Sequence, residues 1–155
     1  MIKMRTLIIY ESIHHGNTEK VVKVIANVLE AKLAKPKELD INTVAEYDLI
    51  GFGSGIYGWK HHKGLLNTVD KLSSQKNKSA FIFSTSGAGE KAIDKNHKLL
   101  REKLIGKGFT IIEEFSCKGF NTFGPLKLVG GINKGRPNEH DLKKAENFAT
   151  CLKDA

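Results

Sequence analysis

The chain has 155 residues, 40% of them hydrophobic, and its lysines and arginines outnumber its acidic residues by 25 to 17, a formal charge of +8. This length predicts a single domain with a core of its own, spanning 1–155. No run approaches the ~20 apolar residues that a membrane helix needs, which excludes a membrane-spanning protein. No stretch resembles a signal peptide, so a cytoplasmic location is expected.

From the N-terminus, the apolar run Thr6–Tyr10 predicts a buried strand, and helical spacing of apolar residues over Val21–Leu33 predicts an amphipathic helix that fades by Pro36. The polar run Lys37–Asp40 is typical of a brief edge strand. Residues 41–47 are too few for another full crossover helix.

Later in the chain, strands and helices alternate. The predicted strands are Tyr47–Ser54, Ser79–Ser84 and Phe109–Cys117, and the predicted helices run through Leu65–Leu72, through Ile93–Leu104 and onward from Pro137, which is expected to be the first helical residue. The glycine-rich segment Lys118–Arg136 has no periodicity. Five short strands separated mostly by helices predict an α/β fold with a parallel sheet.

The polar loop Glu11–Thr18 joins the first strand to the first helix. The first N–H groups of a helix have no intrahelical partner and carry the positive end of its dipole, so a phosphate suits this position. Ser12, Asn17 and Thr18 add side-chain donors. The loop has neither of the two common nucleotide phosphate motifs, which favours a single terminal phosphate. An ordinary polar turn is the alternative.

Two further loops, Gly55–Gly64 and Thr85–Gly89, also follow strands. The carboxyl ends of parallel strands share one edge of a sheet, and ligands bind there at the point where strand order reverses. We therefore expect a phosphate-type loop, an aromatic-bearing loop and a small-residue loop around one crevice. A ligand with one phosphate and a flat ring would suit that crevice.

Three stretches, Glu11–Thr18, Gly53–Trp59 and Ser84–Gly89, resemble those of the flavodoxins. The resemblance covers nearly the whole chain. It implies a flavodoxin-like three-layer sandwich, with a five-stranded parallel sheet of order 2-1-3-4-5 and helices on both faces. It also implies flavin mononucleotide (FMN) as the cofactor.

The resemblance assigns site residues by position. The phosphate would be wrapped by Ser12, His14, His15, Gly16, Asn17 and Thr18, and the ring would be bordered by Ser54, Gly55, Ile56, Tyr57, Gly58, Thr85, Ser86, Gly87 and Ala88. Tyr57 would stack on the ring, and the carbonyl of Gly58 would accept the proton of reduced N5 after a peptide flip that glycine permits. Residues 85–88 would offer backbone N–H groups to the pyrimidine edge.

His14 stands where the family usually has a hydroxyl residue, and a second histidine, His15, follows it. Their imidazole N–H groups are expected to donate to the phosphate and to tighten binding below roughly pH 6.5. The alternative is two exposed histidines that contact nothing.

Other positions also depart from the family pattern. Trp59 follows Gly58 where an acid is common, and the basic run Lys60–Lys63 comes next, so we expect a potential less negative than that of an acidic flavodoxin. Alternatively, these four side chains project into solvent, where salt screens them. Glu90 holds the position of the second stacking aromatic, so that ring face is open, or is covered by Trp59 or by Phe120 and Phe123 from the glycine-rich segment.

The favoured function is that of a low-potential electron carrier in which FMN supplies the chemistry, with neither a catalytic side chain nor a metal. Its expected partners are redox proteins with acidic surfaces, docking on Lys118–Arg136 unless that segment has no specific role. Nucleic acid and membrane are not expected, and the protein would be a monomer or weak dimer. The alternative is an FMN-dependent oxidoreductase acting on a quinone, a porphyrinogen or a similar flat substrate.

A flavin-free receiver domain of the same fold is disfavoured, because Ser54 and Gly55 stand where such a domain needs an aspartate. Cys117 and Cys151 have no metal-binding spacing and are expected to be buried or half-buried apolar residues. Whether Cys117 approaches the flavin stays open at this point.

Overall fold

The computed structural model describes residues 4–13, 16–120 and 130–154. The strands are β1 (Thr6–Glu11), β2 (Lys32–Ala34), β3 (Leu49–Gly55), β4 (Ser79–Ser86) and β5 (Thr110–Lys118). The α-helices are α1 (Asn17–Leu29), α2 (Lys63–Lys71), α3 (Ile93–Gly106) and α4 (Glu139–Asp154), and two 3₁₀ helices span Ile41–Glu46 and Gly89–Ala92. Among these described residues no helix is long and apolar enough to cross a membrane.

The strands form one parallel sheet of order β2-β1-β3-β4-β5. This arrangement confirms the predicted fold class and strand order. Alternate residues of β1 point to opposite faces, so Leu7 and Ile9 lie in a core beneath α2 and α3, while Ile8 and Tyr10 lie in a second core beneath α1 and α4. The sheet is therefore the middle layer of a three-layer sandwich.

Glycines in β3 make room for aromatic side chains of β4. A Cβ atom at Gly51 would overlap the ring of Phe81, and one at Gly53 would overlap the ring of Phe83. Both phenylalanines are fully buried in the core on the α1 and α4 side. The glycines thus let large rings pack on the sheet directly below its carboxyl edge.

The prediction of an edge strand at Lys37–Asp40 is wrong. The second strand is Lys32–Ala34, which pairs with Leu7–Ile9, and α1 ends four residues earlier than the apolar spacing indicated. Glu30 turns the chain out of the helix with a left-handed φ of 53°. Leu33 happens to continue the helical spacing of apolar residues, but it lies in the short edge strand β2. Its side chain is 36% exposed.

The expectation that Pro137 opens the last helix is also wrong, since α4 begins at Glu139. Asn138 and Asp141 form a reciprocal cap in front of it. The N–H of Asn138 donates to Oδ2 of Asp141 (2.9 Å), and the N–H of Asp141 donates to Oδ1 of Asn138 (3.0 Å). This cap fixes where the chain enters α4.

Candidate functional site

The loops after β1, β3 and β4 meet at the carboxyl edge of the sheet. The ends of these strands are in register, with Glu11 opposite Ser54 and Gly55 opposite Thr85. A buried hydrogen bond of 2.9 Å joins the hydroxyls of Thr18, in the first turn of α1, and Thr85. The first and third of the predicted loops are therefore in direct contact.

The N-terminus of α1 has the features of an anion site. Gly16 precedes the helix with a left-handed φ of 65°, and among the described residues no side chain at the cap position bonds to the first turn. Ser12 takes up one of the first-turn donors, because the N–H of Glu19 donates to its Oγ at 3.0 Å. A Cβ at Gly16 would meet no atom of the described residues within 4 Å. His14 and His15 lie outside the described residues.

Asn17 connects this loop to a distant part of the chain. Its Nδ2 donates to the carbonyl of Phe120 at 2.8 Å, and its Oδ1 is buried without a hydrogen-bond partner among the described residues. One amide hydrogen of Asn17 is thus committed to Phe120. The hydroxyl of Thr18 is paired with that of Thr85, and either of the two hydroxyls can be the donor.

The loop after β3 is a small β-hairpin. Ile56 and His61 form an antiparallel bridge, the N–H of Tyr57 donates to the carbonyl of Lys60 at 2.7 Å, and the N–H of Lys60 donates back at 3.3 Å. The two residues at its tip, Gly58 and Trp59, both have positive φ, of 58° and 65°. This is a two-residue turn of type I′.

Tyr57 stands at the base of the turn, half-buried and edge-on to the ring of His62, with 5.5 Å between the ring centroids. Burial, and then the nearby charge of Glu11, raises the pKa of its phenol. The ring therefore stays neutral near pH 7, which suits a residue that stacks on a flat ligand.

Both ends of the hairpin are fixed to the sheet. The hydroxyl of Ser54 accepts from the N–H of His62 at 2.9 Å, and Nε2 of His61 donates to the carbonyl of Phe83 at 3.0 Å. His61 is 1% exposed, and burial, followed by the effect of neighbouring His97, lowers its pKa to about 3. Its Nδ1 has no partner among the described residues.

The expected rim of four basic side chains at Lys60–Lys63 therefore needs correction. His61 is buried and neutral, because transfer of a charged imidazolium from water into the protein interior is unfavourable. The Nδ1 of His62 accepts from the N–H of Gly64 at 2.9 Å and caps α2. Lys60 and Lys63 are exposed and carry the positive charge of this stretch.

The loop after β4 is held by two residues of the glycine-rich segment Lys118–Arg136, one near each of its ends. The N–H of Gly119 donates to the carbonyl of Ser86 at 3.1 Å, and Nδ2 of Asn133 donates to the carbonyl of Gly87 at 3.0 Å. In a trans peptide the N–H points opposite to the carbonyl, so the N–H groups of Gly87 and Ala88 point away from Gly119 and Asn133. Sequence reasoning missed Asn133, which carries no local signal of this contact.

A buried polar network below that loop was also missed. Nε2 of His97 lies 2.7 Å from Oγ of Ser84, which lies 2.8 Å from Oγ of Ser116, and Nδ1 of His97 donates to Glu114 at 2.8 Å. Arg101 donates to both oxygens of Glu114 at 2.8 Å. His97 has the helical spacing of Ile93, Leu100 and Leu104 on the inner face of α3, and that position was the available signal.

The network has the connectivity of a serine, histidine and carboxylate triad, but Ser84 is 0% exposed and no substrate reaches it. Its effect is to join β4, β5 and α3. Burial alone would raise the pKa of Glu114, yet hydrogen bonds from His97 and Arg101, and then the guanidinium charge, lower it to about 2. The carboxylate is therefore ionised at neutral pH.

The cysteines take no part in the crevice described here. Cys117 packs in the core beneath α1 and α4, where burial raises the pKa of its thiol to about 12 and so keeps it protonated. Cys151, expected to be at least half-buried, is exposed on the outer face of α4. Among the described residues no cluster of histidines, cysteines and acids could hold a metal ion.

The chain resembles flavodoxins in sequence and in fold. A family model described as a flavodoxin domain matches residues 7–117. An uncharacterized protein of Methanocaldococcus jannaschii is 52% identical over 149 residues, which cover 96% of this chain and 98% of that protein.

Two solved flavodoxins have the same fold at low sequence identity. A short-chain flavodoxin associated with a non-canonical PDU bacterial microcompartment superposes with a TM-score of 0.69 at 17% identity, covering 96% of this chain and 97% of the other. The flavodoxin of Fusobacterium nucleatum, whose structure contains bound FMN, superposes with a TM-score of 0.68 at 12% identity, covering 97% and 98%.

Proposed function

The chain belongs to the flavodoxin domain family, and from that premise we propose that it binds FMN and carries electrons between redox proteins. The observation that carries this proposal is the meeting of three loops at the carboxyl edge, one of which leads through Gly16, in the left-handed conformation, into the N-terminus of α1. A terminal phosphate would accept hydrogen bonds from N–H groups at the start of that helix and would interact favourably with the helix dipole.

The residues present fit the cofactor. Gly16, the backbone of Asn17 and Thr18, and the hydroxyl hydrogen of Ser12 would hold the phosphate. Tyr57 would cover one face of the ring, with the peptides of residues 54–56 and 85–88 along its rim. His14 and His15 are proposed as further phosphate donors. When bound, FMN supplies the redox chemistry, and this chain binds it, orients it and sets the charge around it.

Exposed lysines border this edge and favour an acidic partner. Lys60 lies in the hairpin, Lys63 follows it, and Lys91 and Lys95 lie beyond the third loop. Together with the net charge of +8, they would attract and orient a negatively charged protein surface. The same positive charge would favour the negatively charged reduced flavin, so the potential should be less negative than in an acidic flavodoxin.

One observation favours a second function, that of an FMN-dependent oxidoreductase for a flat substrate. Glu90 is exposed in the 3₁₀ helix Gly89–Ala92, at the position where the family resemblance places a second stacking aromatic. Without an aromatic from this position, one ring face would be open to a quinone or a similar molecule.

A flavin titration followed by anaerobic reduction tests the proposal. FMN is added to flavin-free protein and its fluorescence is recorded, first with the wild type and then with Tyr57→Ala. Loss of the stacking aromatic should weaken binding roughly 3- to 10-fold. The control Ile105→Ala truncates a side chain that is 57% exposed on α3 and should leave the affinity unchanged.

Stepwise anaerobic reduction of the loaded protein then separates the two functions. A carrier should accept electrons in two resolved one-electron steps. A single two-electron step, with turnover of added quinone, would support the oxidoreductase instead. A protein that does not bind FMN at all would refute both.

A further inference from the structure

A buried histidine below the third loop is hydrogen-bonded at both ring nitrogens. The side chain of His97 is 0% exposed. Its Nδ1 lies 2.8 Å from Oε1 of Glu114, and its Nε2 lies 2.7 Å from Oγ of Ser84. A neutral imidazole has one N–H donor and one acceptor nitrogen, while an imidazolium has two donors. The partners of the two nitrogens therefore determine whether this ring is charged.

The partner of Nδ1 is a carboxylate. Arg101 donates to both oxygens of Glu114, and the pKa of about 2 keeps that carboxyl ionised at neutral pH. An ionised carboxylate accepts hydrogen bonds and has no hydrogen to donate. Nδ1 of His97 must therefore carry a hydrogen.

The partner of Nε2 is a hydroxyl whose hydrogen points elsewhere. Ser84 donates to Oγ of Ser116, its partner in register on β5, at 2.8 Å. A serine hydroxyl has a single hydrogen, so Ser84 can only accept from His97. The direction of the Ser84–Ser116 bond thus requires a hydrogen on Nε2 as well.

The charged and titratable groups around the ring are compatible with a positive charge there. Glu114 faces it from β5, and Arg101, itself 4.0 Å from the exposed Asp94, lies on the far side of that carboxylate. From the hairpin, the ring of His61 lies 5.0 Å from that of His97 and is neutral, so it adds no repulsion. Contact with an ionised carboxylate offsets the cost of burying an imidazolium.

We propose that His97 is a buried imidazolium at neutral pH and that Ser116 is the positioning residue that keeps it charged, by accepting the hydrogen of Ser84. The charge lies below the third loop, because Ser84 directly precedes Thr85 in β4. A positive charge enclosed in protein is weakly screened and would favour an anion bound at this edge. The link to bound FMN rests on the proposed function, whereas the charge of the ring does not.

Ser116→Ala tests the direction of the hydroxyl chain. Without an acceptor at position 116, the hydroxyl of Ser84 can turn and donate to Nε2, which stabilises the neutral ring. The ratio of charged to neutral His97 should fall roughly 10-fold, the effect of one hydrogen bond. Ser116→Thr keeps a hydroxyl and should restore the wild-type ratio. Thr110→Ala removes an exposed hydroxyl from the same strand and should change nothing.

Nitrogen NMR of histidine-labelled, flavin-free protein at pH 7.5 reads the charge directly. The resonances of His97 are assigned through couplings within the residue. Both of its ring nitrogens should be protonated in the wild type and in Ser116→Thr. A bare Nε2 in the wild type, or an unchanged ratio in Ser116→Ala, would overturn the proposal. If Ser116→Ala does not fold, the wild-type spectrum alone decides the charge.

The FMN-loaded proteins give a second readout. Because the reduced flavin is negatively charged, loss of the positive charge in Ser116→Ala should make the midpoint potential more negative, and Ser116→Thr should restore it. A potential that does not move although the ring has become neutral would overturn the effect on the bound anion. If FMN does not bind, the proposed function fails, while the nitrogen spectrum still decides the charge of His97.

Discussion

The hydroxyls of Thr18 and Thr85 are 2.9 Å apart and buried, although 67 residues separate them in the chain. The contact ties the start of α1 to the end of β4, so two of the three loops share one rigid support. Their relative position therefore depends on a pair of polar atoms that have no access to water.

A double-mutant cycle on this pair should show strong coupling. Thr18→Val and Thr85→Val each leave the other hydroxyl buried without its partner, at a cost of about 1–3 kcal/mol in unfolding free energy. Removing both should cost less than the sum of the two single changes. Urea denaturation of the four proteins measures this. Additive losses would mean that the two hydroxyls do not interact.

The Glu114 network should make stability depend on pH in an acidic window. The pKa of Glu114 is about 2 in the folded protein and near 4.5 when unfolded. Its contribution is therefore complete above about pH 4.5 and is lost as the pH falls towards 2. Because a fifth of the Glu114 side chain is exposed, solvent weakens its ion pair. We therefore expect the carboxylate to contribute about 2 kcal/mol to the free energy of unfolding, less than the pKa shift alone would give.

Denaturation of Glu114→Gln at several pH values tests this. The difference in stability from the wild type should be largest above pH 5 and should shrink towards pH 2. Glu113→Gln removes the adjacent exposed carboxylate and serves as the matched control. A difference that stays constant down to pH 2 would contradict the ion-paired state of Glu114.

His61 should stay neutral across the physiological range. Because its folded pKa of about 3 lies below the unfolded value of about 6.5, its neutral form favours the fold above pH 6.5, and that advantage declines as the pH falls towards 3. Nitrogen NMR of the imidazole should show protonated Nε2 and bare Nδ1 from about pH 5 to 8. A titration midpoint near 6.5 would show that the ring is not enclosed.

Substitutions in the cap of α4 should lower the free energy of unfolding substantially. Asp141 is 3% exposed and receives two hydrogen bonds from Arg136, of 2.5 and 2.6 Å, besides its bond from Asn138. Asp141→Asn keeps the shape but removes the charge, and should cost about 2–3 kcal/mol at neutral pH. Glu139→Gln, in the same helical turn, should cost far less. Thermal and urea unfolding compare the two, and equal losses would reject the buried pair.

The architecture follows from local signals that the sequence contains. Strands that are buried on both faces appear in the sequence as largely apolar runs, as at Leu49–Gly55 and Ser79–Ser86. The order of the strands was predicted from the family resemblance. The shared edge of the three loops was predicted from the parallel pairing of the strands. The short edge strand Lys32–Ala34 could not be found in this way, since an exposed strand of three residues has no distinctive pattern.

Within the candidate site, the loops were predictable but the contacts between distant residues were not. The sequence pattern predicted that Asn17 and Thr18 lie at the start of a helix. Their hydrogen-bond partners, Phe120 and Thr85, are distant in the chain and are set by the tertiary fold. The basic run at Lys60–Lys63 suggested uniform charge, yet burial neutralises His61. Charge can be counted from a sequence, but solvent exposure comes from packing.

FMN is proposed to bind at the edge formed by the three loops. Adding FMN to isotope-labelled, flavin-free protein and recording amide shifts tests it residue by residue. Saturable shifts are expected to be concentrated at residues 12–18, 54–60 and 85–89, with β2 and the outer face of α4 unaffected. An absence of saturable binding, or shifts centred on another surface, would contradict it.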